Sequence, residues 1–152
     1  MKRLIIVGFS ALLLIGCSDE KTQYQEHVFN LMKNDQDLID YSLDPDEVSR
    51  CIVDLTGKKM IGPFSWDPRR APIYKAYTNM VKLKLNIGRF DTQYNNEVNP
   101  KDTLDRLKLE FGSTKALSDA NRNFSKSVLT CFETLVQLRK INGVNSGKFY
   151  KY

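Results

Sequence analysis

Few residues of this 152-residue chain have side chains that do chemistry. The chain contains three cysteines and a single histidine, His27. Metal sites need several cysteine, histidine or carboxylate ligands close together, and hydrolytic triads need a histidine as general base. Because His27 has only Glu26 and more distant acids around it, we predict a surface histidine and no metal site. The segment 112–115 lacks the upstream glycine and the residue order of a phosphate-binding loop.

Pairs of carboxylates are the remaining catalytic option, since glycoside hydrolysis uses two acids that flank the scissile bond. Asp102, Asp105 and Glu110 are candidates because they share one predicted helix. Acidic side chains on a helix are ordinarily solvated, and we expect the same of these three. The sequence therefore predicts no catalytic residue and no cofactor.

The N-terminus has the pattern of a secretory signal. Lys2 and Arg3 form a positive start, and residues 4–16 are an uncharged, mostly apolar run of thirteen residues. A helix that spans a bilayer needs about 20 residues, so this run is too short for that role. A positive start followed by a short apolar run predicts a signal peptide that is removed.

The end of that signal carries a more specific motif. Leu14, Ile15, Gly16 and Cys17 resemble the lipobox of bacterial lipoproteins. The resemblance implies that Cys17 receives a diacylglyceryl thioether, that the chain is cut before it, and that the new amine is acylated. Two or three acyl chains anchor a protein stably where one does not. The alternative is a plain signal peptide or a buried helix that happens to contain a cysteine.

The residues after the lipobox bear on which membrane holds the anchor. In enteric-type bacterial lipoproteins, an aspartate directly after the lipidated cysteine favours retention in the inner membrane. Here that position is Ser18, which favours the outer membrane, with the domain facing the periplasm. Asp19 leaves the inner membrane open, because some bacteria also read that position.

The two other cysteines form an even pair. Removing residues 1–16 leaves 136 residues with 21 basic and 18 acidic side chains, a net charge of +3. With Cys17 lipidated, Cys51 and Cys131 remain, and an oxidising periplasm then predicts one disulfide. It would close a loop of about 80 residues and contribute roughly 4 kcal/mol by chain entropy. The alternative is two reduced cysteines in the core.

The apolar spacing predicts an all-α fold, a small bundle of four to five helices that the disulfide clamps. Asp44, Pro45 and Glu47 are a typical helix start, followed by a core-facing stripe that ends at Gly57. Asn142 follows the longest helix, whose apolar seam we expect to be buried on more than one side. The predicted helices cover 28–39 (with a break at 34–35), 45–57, 72–85, 100–111 and 118–141. The seam comprises Phe124, Val128, Cys131, Leu135 and Leu138, widened by Leu129, Phe132 and Val136.

Four parts follow from these patterns. Residues 1–16 are the signal peptide, and residues 17–25, which are polar and have no apolar period, are the lipidated cysteine and a tether. Residues 26–143 form the helical domain, and 144–152 form a C-terminal tail.

Charge is divided along the chain. Residues 19–54 contain ten acids and three bases, whereas residues 55–90 contain eight bases and one acid. One interpretation is that the two segments lie side by side and neutralise each other. The other is an exposed basic and aromatic surface that binds an acidic envelope protein, an anionic lipid or an acidic glycan. Its candidate residues are Lys58, Lys59, Phe64, Trp66, Arg69, Arg70 and Tyr74. A lipidated periplasmic protein seldom meets nucleic acid, so we expect no nucleic-acid partner.

These features favour a lipoprotein that works by binding, as an accessory or assembly factor of an envelope complex. By fold-level analogy it is similar to secretin pilotins, helical lipoproteins that hold an amphipathic helix of a client. The alternatives are an immunity, exclusion or inhibitor lipoprotein that blocks an incoming toxin or conjugation machine, and an enzyme acting on the envelope polymer. The inhibitor hypothesis predicts a charged interface, whereas the adaptor hypothesis predicts an apolar groove.

Overall fold

The computed structural model describes residues 16–60, 67–88 and 100–141, and within them the fold is all-α. This confirms the predicted fold class. The described part contains no strand and has six α-helices, because the region of the predicted first helix holds two, of which the second is a single turn. The helices are α1 (Gly16–Met32), α2 (Gln36–Asp40), α3 (Pro45–Gly57), α4 (Ala71–Gly88), α5 (Pro100–Glu110) and α6 (Thr114–Ile141).

Local capping determines where several helices begin. The carboxylate of Asp44 accepts a hydrogen bond from the Asp46 backbone N–H at 3.0 Å, and Pro45 occupies the first turn of α3, as predicted. Asp35 caps α2 in the same way, which explains the break in the apolar pattern at this point. Gly112, with a φ of +85°, lies between α5 and α6 in a conformation that favours glycine.

The predicted tether is wrong. Residues 17–25 belong to α1, and Tyr24 within them is fully buried. The Tyr24 ring lies 6.0 Å from the Tyr74 ring and 5.6 Å from the Tyr77 ring, measured between centroids. A polar stretch with one aromatic residue carries too weak a periodicity to reveal that this residue packs into a distant helix. From Tyr24 onward, α1 is therefore part of the body.

The core lies between α1, α3, α4 and α6. Helix α1 packs against α3 and α4, α3 packs against α6, and α5 bridges α4 and α6. Cys51 and Cys131 form the predicted disulfide, with 5.9 Å between their Cα atoms, and Asn123 Nδ2 donates to the Thr56 carbonyl at 3.4 Å. Since residues 51 and 56 meet residues 131 and 123, α3 and α6 run antiparallel.

Helix α6 is less buried than predicted. Phe124, Cys131 and Leu135 are buried in the core, as expected from their spacing. Leu138, however, is 46% exposed, and Leu129, which was expected to widen the seam, is 57% exposed. The C-terminal half of α6 therefore contributes one side to the described core and presents a second apolar side to solvent.

Candidate functional site

The predicted basic and aromatic surface is only partly exposed. Lys58 and Lys59, just after α3, are exposed and form no ion pair within the described residues. Arg70 is only 7% exposed and Tyr74 is buried, so the prediction that these two side chains face a partner is wrong. Phe64 and Trp66 lie outside the described residues.

Arg69 is exposed, but its charge is compensated by Asp67. The guanidinium donates to the Asp67 carboxylate through Nη2 at 2.6 Å and through Nε at 3.0 Å. The same carboxylate accepts the Arg69 backbone N–H at 3.0 Å and so caps the short 3₁₀ turn Pro68–Arg70. These hydrogen bonds lower the pKa of Asp67 to about 2. The two arginines are thus structural groups of the turn before α4 more than they are a free basic surface.

Asp67→Asn is expected to lower the melting temperature at pH 7 and to have a much smaller effect at pH 2. The pKa of this carboxylate is about 2 in the fold and about 3.9 in the unfolded chain. Its ionised form therefore stabilises the fold above about pH 4, and this contribution is lost as the pH falls through about 2. Thermal melts followed by circular dichroism between pH 7 and pH 2 measure the difference.

Asp105→Asn is the matched control, because Asp105 contacts Lys108 at 2.8 Å in an exposed pair on α5. Exposed pairs of this kind contribute little to stability, so this variant should melt like the native chain at every pH. A difference between Asp67→Asn and the native chain that is as large at pH 2 as at pH 7 would contradict the assigned pKa.

Arg70 and Tyr74 close over the end of α3 at Gly57. A Cβ at position 57 would lie 2.9 Å from Tyr74 Oη and 4.0 Å from Arg70 Nη1. A larger residue here would therefore have to displace the Tyr74 hydroxyl, whereas the distance to Arg70 is an ordinary van der Waals contact. The burial of Arg70 and Tyr74 packs the turn before α4 onto α3 and leaves Lys58 and Lys59 projecting beside it.

An open cleft lies directly beside these lysines, between the end of α3 and helices α4, α5 and α6. Its volume is about 550 Å³, within the range of ordinary ligand pockets. Most of its lining is apolar and includes several small side chains, which leave the space between the helices unfilled. The apolar lining comprises Met60, Pro72, Ile73, Ala76, Tyr77, Phe111, Ala116 and Ala120, and the polar lining comprises Lys59, Glu110, Asp119 and Asn123.

The polar groups of the cleft are mainly hydrogen-bond acceptors. The Glu110 carboxylate accepts from Asn79 Nδ2 at 2.9 and 3.0 Å, which ties α5 to α4. Asp119 accepts from Lys115 Nζ at 2.7 Å, and this contact lowers the pKa of Asp119. Lys59 contributes a basic side chain to the same cleft.

Asn123 adds a buried acceptor. Its Nδ2 donates to Tyr77 Oη at 3.0 Å and to the Thr56 carbonyl, so the amide is held by two helices. Its Oδ1 is buried and has no hydrogen-bond partner among the described residues. A buried acceptor without a donor costs about 1–3 kcal/mol, so a donor that reaches this oxygen would be bound favourably.

The sequence pattern did not predict the cleft. The only local signal is that Ala116 and Ala120 occupy successive turns of one face of α6, where larger apolar residues are usual. The predicted carboxylate candidates do not converge: Asp102 and Asp105 are exposed on α5, and only Glu110 lines the cleft. His27 is partly buried, and burial together with Lys82 lowers its pKa. Within the described residues no cluster of three metal-ligating side chains occurs.

Comparison with known proteins returned no match: no family model, curated protein or solved structure is significantly similar to this chain. Within the described part, no helix is both long enough and apolar enough to cross a membrane.

Proposed function

We propose that this protein is a lipid-anchored adaptor of the bacterial envelope that binds a segment of a partner protein in the cleft between α4, α5 and α6. The lipobox at Cys17 supports the anchor, and Ser18 supports the outer membrane with the domain facing the periplasm. The observation that carries the binding role is the cleft itself, an apolar concavity bordered by charged side chains. An apolar concavity favours an adaptor over an inhibitor, which would present a charged interface.

The lining indicates the chemistry of the partner. The volume of about 550 Å³ accommodates one or two bulky apolar side chains, such as those on one face of an amphipathic helix. Glu110 accepts from Asn79 and lies 3.8 Å from Arg106, and Asp119 is paired with Lys115. The Asn123 Oδ1 atom is therefore the acceptor that a hydrogen-bond donor of the segment would reach. Lys59 has no ion-pair partner among the described residues, so an acidic side chain of the segment is favoured beside it, whereas Arg70 is buried and Arg69 is paired with Asp67.

Filling the cleft is expected to abolish partner binding. Ala116 is partly exposed in the cleft lining, so Ala116→Trp places an indole in the space that the partner would occupy. A photo-crosslinking residue at Ile73, also in the lining, should trap one envelope protein in intact cells that express the tagged full chain. The amount of this adduct, measured by mass spectrometry, should fall at least about tenfold in the Ala116→Trp background, equivalent to roughly 1.4 kcal/mol.

Ser118→Trp is the matched control, because Ser118 is exposed on the same helix outside the cleft lining. This variant should retain the adduct and the melting temperature of the native chain. Equal adduct yields in the two tryptophan variants would overturn the cleft as the binding site.

The anchor has its own test. Cys17→Ser should leave an unprocessed, unlipidated precursor, because the thiol that receives the diacylglyceryl group is absent. Membrane fractionation and intact-mass measurement distinguish the two forms. A variant that is cleaved and fractionates with the outer membrane like the native chain would rule out lipidation at Cys17.

A further inference from the structure

A second apolar surface lies on the opposite part of α6, away from the cleft. We call it the α2–α6 strip; its residues are Tyr41, Leu129, Phe132 and Val136. Leu129, Phe132 and Val136 are spaced by three and four residues, so they share one side of α6. The Tyr41 ring packs edge-on against Phe132 with 5.2 Å between centroids, which joins the end of α2 to this side.

The strip continues from the core into solvent. Phe132 and Val136 are partly buried and pack against the core, whereas Leu129 is 57% exposed and Tyr41 is 49% exposed. Large apolar side chains that are contiguous and exposed are typical of protein interfaces.

Charges of opposite sign border the two edges of the strip. On the α2 edge, Asp37 and Asp40 are exposed, and Asp37 lies four residues before Tyr41 on the same side of α2. Arg139, seven residues after Phe132, lies on this side of α6, so the edge has a net charge of −1. On the α6 edge, Lys126, Glu133 and Lys140 are exposed at intervals of seven residues and form a row of net positive charge. At 3.6 residues per turn, this row lies on the side of Leu129 that faces away from Phe132 and Tyr41. Within the described residues, none of these six charged side chains has an ion-pair partner.

We propose that a second copy of this chain docks on the α2–α6 strip about a two-fold axis parallel to α6. That axis places the two strips face to face and brings the acidic edge of each copy against the basic row of the other. A two-fold axis perpendicular to α6 would instead oppose like edges. Asp37 and Asp40 disfavour an anionic membrane as the occupant, because the same surface would bring these carboxylates against lipid phosphates.

Leu129 is the most exposed of the three α6 residues in the strip, so we expect its two copies to come within reach of each other across the axis. We expect Leu129→Cys in the full chain to be joined to its own copy by a short bismaleimide in intact cells, giving a species of twice the mass. The matched control is Leu109→Cys, because Leu109 is 82% exposed on α5 outside the strip. This control should stay monomeric, and equal crosslinking of the two variants would overturn the proposal.

Charge reversal of one edge at a time tests the pairing of the edges. Asp37→Lys with Asp40→Lys makes both edges basic, and Lys126→Asp with Lys140→Asp makes both acidic. Either double variant, carried with Leu129→Cys, should crosslink to itself at least about tenfold less than the parent. Two differently tagged chains, one of each kind, should crosslink to each other when they are co-expressed. Failure of the mixed pair, with both variants folded by circular dichroism, would overturn the proposal.

Two other occupants give distinct results. If the strip rests on lipid, Leu129→Cys gives no crosslink, and Leu129→Lys weakens binding of the full chain to vesicles of phosphatidylglycerol and phosphatidylethanolamine. If residues 142–152 cover it within one chain, the crosslink appears only after these residues are removed. Either result overturns the proposal, and neither depends on the partner of the cleft.

Discussion

Replacing Cys51 and Cys131 together by alanine is expected to lower the free energy of unfolding by about 4 kcal/mol. The disulfide joins α3 to α6 across 80 residues of chain, and closing so long a loop in the unfolded state costs about that much conformational entropy. A small domain has a total stability of about 5–15 kcal/mol, so the loss is a large fraction of it. Urea unfolding followed by circular dichroism measures the change.

The single variants provide the control for this result. Cys51→Ala and Cys131→Ala each break the same bond, so each should lose about as much stability as the double variant. A reducing agent should destabilise the native chain by a similar amount and leave the double variant unchanged. If the losses of unfolding free energy in the two single variants instead sum to the loss in the double variant, the cysteines act through separate packing rather than through the bond.

Tyr24→Ala is expected to cost about 3–5 kcal/mol of unfolding free energy, as for other buried aromatic residues. The Tyr24 ring is fully buried between Tyr74 and Tyr77, so replacing it by a methyl group leaves a cavity between these rings. Its hydroxyl lies 3.3 Å from Thr56 Oγ1, which itself donates to the Ile52 carbonyl at 2.8 Å, so Tyr24 is the donor. Urea unfolding again provides the measurement.

Tyr24→Phe separates the ring from the hydroxyl. It keeps the packing and removes one hydrogen bond, so it should cost only about 1 kcal/mol. Burial raises the pKa of Tyr24 well above its usual range. The unfolded chain therefore ionises at this residue above about pH 10 while the fold does not, and the native chain loses stability there more steeply than Tyr24→Phe. A cost below about 1 kcal/mol for Tyr24→Ala would place residues 17–25 outside the body, as a tether.

The Tyr24 result also bears on the distance between the proposed anchor and the binding surface. If α1 is packed from Tyr24 onward, few residues separate Cys17 from the rigid body. Helix α1 contacts α4, which supplies part of the cleft lining. A lipid at Cys17 would then hold the cleft close to the membrane surface, where an envelope partner is also confined.

Local physical chemistry was enough to predict much of the fold. Helix α3 could be predicted from the sequence alone, because its signals lie within a few residues of one another: the Asp44 cap, Pro45 and the apolar stripe. The same holds for the break between α1 and α2 and for the limits of α5. The disulfide was predictable because Cys51 and Cys131 each occupy the core face of a helix and form an even pair.

The exposure of individual side chains and the presence of the cleft could not be predicted in this way, because both depend on contacts between residues far apart in the chain. Arg70 and Arg69 are adjacent and of one type, yet one is buried beside Gly57 and the other is exposed and paired with Asp67. The cleft exists because small side chains on α4 and α6 face a gap that α5 borders. The sequence by itself thus determined the helices, their caps and the paired cysteines, and it contains a motif that resembles a lipobox. Only the tertiary structure decided which charges and apolar side chains a partner can reach, since burial results from the packing of whole helices.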